Sequence, residues 1–206
     1  STHCISSAAS DVYKRQVMTQ QGKNAIDLVL AESLIELSAK KPIDKITIKE
    51  ITDKAGVIRP TFYNHFQDKY ELIEWIIKTE LLEPIKPLLN AGMIFEAIVL
   101  MLNNISANSV FYKKALKLEG AVTFNQIAMK CVCEMFMNII SEKSTGKKSK
   151  YRWLTPEVIS TYYAQSLCFI TEGWIAQGMD DIEPKEMAEA YMYLITRSMD
   201  DILSEL

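Results

Sequence analysis

Apolar residues recur at three- and four-residue intervals along most of the chain, the spacing that lines one face of a helix. The first such stretch covers residues 24–40, where Ile26, Leu30 and Leu34 form a stripe that ends before Pro42. Strand-like alternation is scarce, and the chain contains only 7 Gly and 6 Pro. The pattern therefore predicts an all-α fold.

Residues 47–72 predict two short helices separated by a sharp turn, followed by the start of a third helix. Thr47 and Glu50 have the spacing of a capping box, and Gly56 permits the turn. Pro60 suits the first turn of the second helix, where its missing N–H costs little. Two Phe occupy one side of this helix, while hydrogen-bonding side chains occupy the others. We expect such a polar face to need a binding partner.

The remaining periodic stretches predict longer helices, and residues 144–150 read as an exposed basic loop. Asp68 and Glu71 form a second capping pattern at the start of the first of these helices. The predicted helices cover 69–83, 93–107, 109–118, 121–143, 155–177 and 184–206.

The first residues do not continue this periodicity, and they lack the apolar run of a secretory signal. We interpret residues 1–17 as a cloning-derived or disordered extension. The alternative is a basic arm carrying Lys14 and Arg15.

Composition is that of an ordinary soluble globular protein, with 49% hydrophobic and 24% charged residues. No apolar run approaches the roughly 18 residues of a membrane span, so we expect a cytoplasmic protein without membrane contact. The net charge of −3 is unevenly distributed. Residues 1–69 hold 10 basic and 8 acidic side chains, whereas residues 70–206 hold 13 and 18. The positive net charge of residues 1–69 is the sign of charge that binding to DNA requires.

The sequence contains few residues that could form a catalytic or metal-binding site. The chain has four Cys and two His, and Cys131 and Cys133 would project about 200° apart around a helix. No glycine-rich phosphate loop, nucleophile elbow or histidine dyad is found. We therefore predict no metal, no cofactor and no enzymatic activity.

The segment 46–72 resembles the helix-turn-helix of the TetR family of transcriptional regulators. The residues that carry this resemblance are Thr47, Ile51, Ala55-Gly56-Val57, Thr61, Phe62-Tyr63, His65-Phe66, Lys69 and Leu72. Thr52 departs from the pattern, because the family usually has Ala there. The resemblance covers about 18–206. It implies a three-helix DNA-binding domain over 18–68 and a helical-bundle regulatory and dimerisation domain over 69–206.

Chemistry and the family pattern together suggest roles in DNA binding, with the short polar helix entering the major groove. Arg59 is the candidate for a bidentate contact with guanine, and Asn64 for adenine or a phosphate. Pro60 and Thr61 are candidates for a thymine methyl group. The candidates for backbone phosphates are Thr47, Tyr63, His65 and Lys69.

Several of these residues have a competing structural role. Thr47 is a helix cap in either case, and Tyr63 can serve mainly in packing. His65 can bond the following helix, and Arg59 can be a solvated surface arginine.

The body more weakly resembles regulators of the Gram-positive, dihydroxyacetone-kinase-regulator-like type, through the residues 109–114, 162–163, 173–174 and 178. The family implies a homodimer formed through the last two long helices, which reads a palindromic operator in double-stranded DNA. It also implies a repressor released by a small apolar or amphipathic effector. The candidate pocket residues are Phe111, Phe124, Met135, Trp153, Tyr162 and Phe169. The alternatives are an activator, or a regulator that responds to a protein partner.

Overall fold

The computed structural model describes residues 25–143 and 150–205, and every regular element within these ranges is helical. The all-α prediction is confirmed. The proposed extension 1–17 and most of the basic loop lie outside the described residues. The α-helices are α1 (25–40), α2 (Ile48–Ala55), α3 (Arg59–His65), α4 (Lys69–Ile76) with a π-helical continuation (Ile77–Leu82), α5 (Lys86–Asn90), α6 (Ile94–Ala107), α7 (Ser109–Ala115), α8 (Phe124–Lys143), α9 (Pro156–Ala176), α10 (Pro184–Thr196) and α11 (Met199–Glu205), and a short 3-10 helix (Ile43–Lys45) precedes α2.

Helices α1–α3 form a head whose core is apolar. Leu30 and Leu34 of α1 are fully buried, as are Ile51 of α2 and Phe62 of α3. Phe66, which follows α3, is also buried, and its ring lies 5.9 Å from that of Phe62. The two Phe that the sequence places on one side of the short polar helix are therefore both buried.

Local sequence explains the turn between α2 and α3. Thr47 accepts a hydrogen bond from the Glu50 amide, while the Glu50 carboxylate accepts one from the Thr47 amide, so the predicted capping box is present. Gly56 ends α2 with φ 69°, in the left-handed region that favours glycine. The unusual Thr52 is buried, and its hydroxyl donates to the Lys49 carbonyl over 2.9 Å.

Helix α4 differs from the regular helix predicted over residues 69–83, because it becomes π-helical after Ile76. Pro84 has no N–H to donate to the carbonyl of Glu80, four residues earlier. Asn104 of α6 supplies the missing donor, with its side-chain amide 3.0 Å from that carbonyl. A contact between distant parts of the chain thus stabilises the end of α4.

The body is built on α8, which packs mainly on α9, while α10 packs mainly on α6. Ion pairs join α4 to α8. Lys78 contacts the carboxylates of Glu74 and Glu134 at 2.7 and 2.8 Å, and Lys130 contacts Glu74 at 2.8 Å. Because α4 also continues directly from the head, these contacts fix the head against the body.

The prediction of one continuous last helix over 184–206 is wrong. The structure has α10 and α11 with a break at Arg197 and Ser198. The Ser198 hydroxyl accepts from the Asp201 amide, and the Asp201 carboxylate accepts from the Ser198 amide. This reciprocal capping starts a new helix.

In the described part of the chain, no single helix has the length and apolar character needed to cross a membrane. One pair, α6 with α7, passes a test of length and composition, but it is bent by 88°.

Candidate nucleic-acid interface

Helix α3 has one buried side and one exposed side. Phe62 is fully buried against the head core, whereas Arg59, Pro60, Tyr63 and Asn64 are exposed. The buried ring holds the helix in place, so the exposed side chains form a contiguous surface at the edge of the head. This surface, comprising Arg59, Pro60, Thr61, Tyr63 and Asn64, is called the α3 face below; Thr61 in it is half-buried.

Arg59 is oriented by its own helix. Its Nη2 donates a hydrogen bond to the Tyr63 hydroxyl over 2.9 Å, and its guanidinium carbon lies 5.5 Å from the Tyr63 ring centre. The Tyr63 ring in turn packs edge-on against Phe62, with 5.7 Å between ring centres. A path of contacts therefore runs from the buried core to the guanidinium group.

His65 lies on the side of α3 that faces α1. Its Nδ1 is 2.6 Å from a carboxylate oxygen of Asp27, and both side chains are less than a tenth exposed. The competing role foreseen for His65 was a bond to the following helix, but the observed partner belongs to α1. This geometry favours a structural role, in which the pair fastens the end of α3 to α1.

Lys69 is also held inside the head. Its ammonium group donates to the carbonyl oxygens of Ile43, Asp44 and Ile46, at 3.0, 2.7 and 3.2 Å. Burial lowers the pKa of this lysine from its ordinary value. An ammonium already surrounded by three carbonyl groups is poorly placed to bind a phosphate, so the geometry favours a structural role for Lys69 as well.

Thr47 is exposed at the start of α2, and its hydroxyl donates to the Glu50 carboxylate over 2.8 Å. Its role as a helix cap is therefore directly visible. A phosphate contact through the same hydroxyl would compete with this bond.

Ile58 directly precedes the α3 face in sequence and was not among the predicted contacts. It is the N-terminal capping residue of α3, makes no side-chain capping bond and is 70% exposed. The sequence-based predictions assigned it no role. The available signal was the preference for Ser, Thr, Asp or Asn at this position.

The structure does not bring the six predicted pocket residues together. Phe111, Phe124 and Met135 are buried, as expected for core or cavity positions. The other three residues, Trp153, Tyr162 and Phe169, are at least 64% exposed. Helical periodicity identified apolar faces in the body, but not which of them is covered.

Mostly apolar cavities, which are not fully enclosed, lie between the helices of the body. One, of about 330 Å³, lies among α5, α6, α8, α9 and α10, with a lining that is mostly apolar and includes Met101, Met135 and Met192. A smaller one, of about 50 Å³, lies beside the π-helical segment and is lined by Phe124, Tyr112 and Thr171, among others. Within the ranges described, the buried hydroxyls of Tyr112 and Thr171 have no hydrogen-bonding partner.

Two family models match this chain. Residues 32–76 match the model described as "Bacterial regulatory proteins, tetR family", and residues 93–197, about half the chain, match "Transcriptional regulator C-terminal region". The chain belongs to the TetR family. The α3 face lies within the first of these matches, in the DNA-binding head of a TetR-family transcriptional regulator.

Individual proteins are similar to this chain over most of its length. The chain is 26% identical, over 167 residues, to the HTH-type dhaKLM operon transcriptional activator DhaS of Lactococcus lactis subsp. lactis (strain IL1403), covering 80% of this chain and 83% of that protein. The structure of the dihydroxyacetone kinase operon activator DhaS aligns with a TM-score of 0.59 and 21% identity, covering 82% and 93% of the two chains. NalD, the secondary repressor of the MexAB-OprM multidrug efflux pump in Pseudomonas aeruginosa, aligns with a TM-score of 0.55 and 12% identity, covering 84% and 96%. These proteins are regulators rather than enzymes, in agreement with the sequence-based prediction.

Proposed function

We propose that this TetR-family regulator is a cytoplasmic homodimer that binds a two-fold symmetric DNA operator through the α3 face. The observation that carries the proposal is the exposed Arg59 and Asn64 on a helix anchored by the buried Phe62. A guanidinium group suits the two acceptors of guanine, and an amide suits the acceptor and donor of adenine. Pro60 and Thr61 are proposed to contact thymine methyl groups. Phosphate contacts from Thr47, Tyr63, His65 and Lys69 remain proposals, and the last two are the least favoured by the geometry.

Dimerisation through α9 and α10 is supported by an exposed aromatic stripe on α9, formed by Tyr162 and Phe169. Leu167 and Trp174 of α9 are buried, whereas Tyr162 and Phe169 on another side of the helix are 64% and 75% exposed. Residues seven apart lie on the same helix face. We propose that a second copy covers this stripe and that the two α3 faces lie on one side of the dimer. Such a dimer reads half-sites about one turn of DNA, roughly 34–36 Å, apart.

The DNA-binding proposal is tested by selection of binding sites. The purified full chain is mixed with duplexes carrying a random central segment, and bound duplexes are enriched, sequenced and footprinted. We expect enrichment of an inverted repeat whose half-site centres lie about 10 base pairs apart. Failure to enrich or protect any inverted repeat at low salt would overturn the proposal.

The dimer proposal has its own variant. Phe169→Glu introduces a charge into the aromatic stripe, and analytical ultracentrifugation is expected to show a shift from dimer to monomer. Val110→Glu is the matched control, because Val110 is an exposed apolar residue of α7, outside the stripe. A dimer that tolerates Phe169→Glu as well as Val110→Glu would exclude this interface.

We further propose that an effector occupies the cavity of about 330 Å³. That volume reaches the lower end of the range typical of ligand sites, about 300–1,000 Å³. The mostly apolar lining fits a small apolar or amphipathic molecule, and three Met allow it to adapt. Because α9 and α10 both line the cavity, a ligand there would shift the dimer helices and change the spacing of the two heads, releasing a repressor from its operator.

Activation is the second candidate, favoured by the name of the curated relative, an operon activator. Transcription in vitro from a promoter carrying the selected site distinguishes the two. Repression predicts fewer transcripts when the protein is added, and activation predicts more.

The neutral fluorescent probe N-phenyl-1-naphthylamine tests whether the cavity binds a ligand. Its emission should rise with the wild-type protein but not with a folded Ala97→Phe variant. Equal emission with both proteins would contradict occupancy of this cavity, whose lining includes the buried Ala97.

A further inference from the structure

Ile58 occupies an unfavourable position for an aliphatic residue. Among the residues that the structure describes, it is the most exposed Ile, Leu or Val, at 70%. It caps a helix with a side chain that cannot accept a hydrogen bond. Ser, Thr, Asp or Asn at such a position would stabilise the helix. The fold therefore gains little from Ile58.

The helices before and after α3 are both capped by hydrogen-bonding side chains. Thr47 caps α2, and the Asp68 carboxylate caps α4 by accepting from two backbone amides. Only α3, between them, has an apolar cap. The preceding Val57 packs against the core, so the turn is already anchored without Ile58.

Ile58 directly precedes Arg59, whose guanidinium group is positioned by Tyr63. If Arg59 reads a guanine, the adjacent side chain meets the neighbouring part of the same groove. The apolar group exposed in the major groove is the C5 methyl group of thymine. An exposed branched aliphatic side chain matches that group in its apolar character.

We propose that Ile58 is a specificity-determining residue, which contacts the C5 methyl of a thymine next to the guanine read by Arg59. This inference rests on the proposed DNA-binding role of the α3 face. It adds a second feature to the operator half-site, a thymine beside the guanine, at a cost to the capping of α3.

The thymine methyl can be removed without other change, by replacing each thymine of the selected site with deoxyuridine. For the wild-type protein, the replacement at one position in each half-site should weaken binding roughly 4-fold. This is the effect expected when one methyl-sized apolar group is no longer buried. Ile58→Ser should bind the thymine and deoxyuridine duplexes equally at that position. At all other thymines, wild type and variant should respond alike.

A stability measurement separates this role from a structural one. Because Ser is a good helix cap, Ile58→Ser should raise the thermal midpoint while it removes the methyl response. Val110→Ser, at an exposed position of α7, is the control and should leave the methyl response intact. If wild type selects a site but no deoxyuridine position weakens it, or if Ile58→Ser responds as wild type does, the inference is overturned. If wild type selects no site, the proposed function itself fails.

Discussion

The Arg59 guanidinium group is bonded to the Tyr63 hydroxyl, one helical turn away, across 2.9 Å. The same ring lies under the guanidinium and against the buried Phe62. A long, flexible side chain loses conformational entropy when it binds. Because Tyr63 already restricts the conformation of the Arg59 side chain, part of this entropy is lost before DNA binds.

Tyr63→Phe is expected to lower the discrimination against base changes at the guanine read by Arg59. The variant keeps the ring but loses the hydrogen bond, so we expect a two- to five-fold loss, about the contribution of one exposed bond. Binding to duplexes with every single base change at the site would be measured for both proteins. Tyr193→Phe is the control, because Tyr193 of α10 also has an arginine over its ring, Arg197, but lies in the body. A uniform weakening across all sequences would instead assign Tyr63 to a phosphate.

Lys69→Met is expected to destabilise the head rather than change the electrostatics of DNA binding. The variant keeps the apolar stem but leaves the carbonyl groups of Ile43, Asp44 and Ile46 without this donor. We expect a loss of about 1–3 kcal/mol in the free energy of unfolding, measured with urea. The control is Lys45→Met, at an exposed lysine of the same segment. If stability is unchanged but the salt dependence of DNA affinity falls by about 0.9 in log–log slope, Lys69 binds a phosphate instead.

Glu50 should make the head sensitive to acid. A hydrogen bond from Lys41, with further bonds from Thr47, lowers the pKa of Glu50 from 4.5 to about 2. Because the pKa is lower in the folded state, this stabilisation is present above pH 4.5 and is lost as the pH falls toward 2. Glu50→Gln keeps a side chain that can cap but removes the titrating group.

The thermal midpoints of wild type and Glu50→Gln should therefore differ more at about pH 6 than at about pH 3. Glu119→Gln, at an exposed glutamate outside any capping box, is the control. An equal gap between wild type and Glu50→Gln at both pH values would refute this role of Glu50.

The parts of the fold that depend on near neighbours in sequence were predictable. Thr47 and Glu50 are three residues apart, so their capping box can be read directly from the chain. The left-handed turn at Gly56 and the burial of Phe62 follow from equally local rules. These features suffice to define the head and its exposed face.

Contacts between distant residues were not predictable in the same way. The donor that Asn104 supplies to Glu80 crosses 24 residues, and the bonds of Lys69 reach back by more than 20. Such contacts decide whether a polar side chain is free to bind DNA. Helical periodicity also leaves open which apolar face is covered, so it could not show that Tyr162 and Phe169 are exposed.

The most direct test of the account is the effect of Arg59→Ala on every single-base variant of the selected operator. The account predicts that discrimination is lost at one base pair in each half-site, by roughly 1–3 kcal/mol, and persists elsewhere. Arg152→Ala, at an exposed arginine of the body, should leave the whole profile unchanged. A profile for Arg59→Ala that retains full discrimination at every position would contradict the claim that the α3 face reads the DNA sequence.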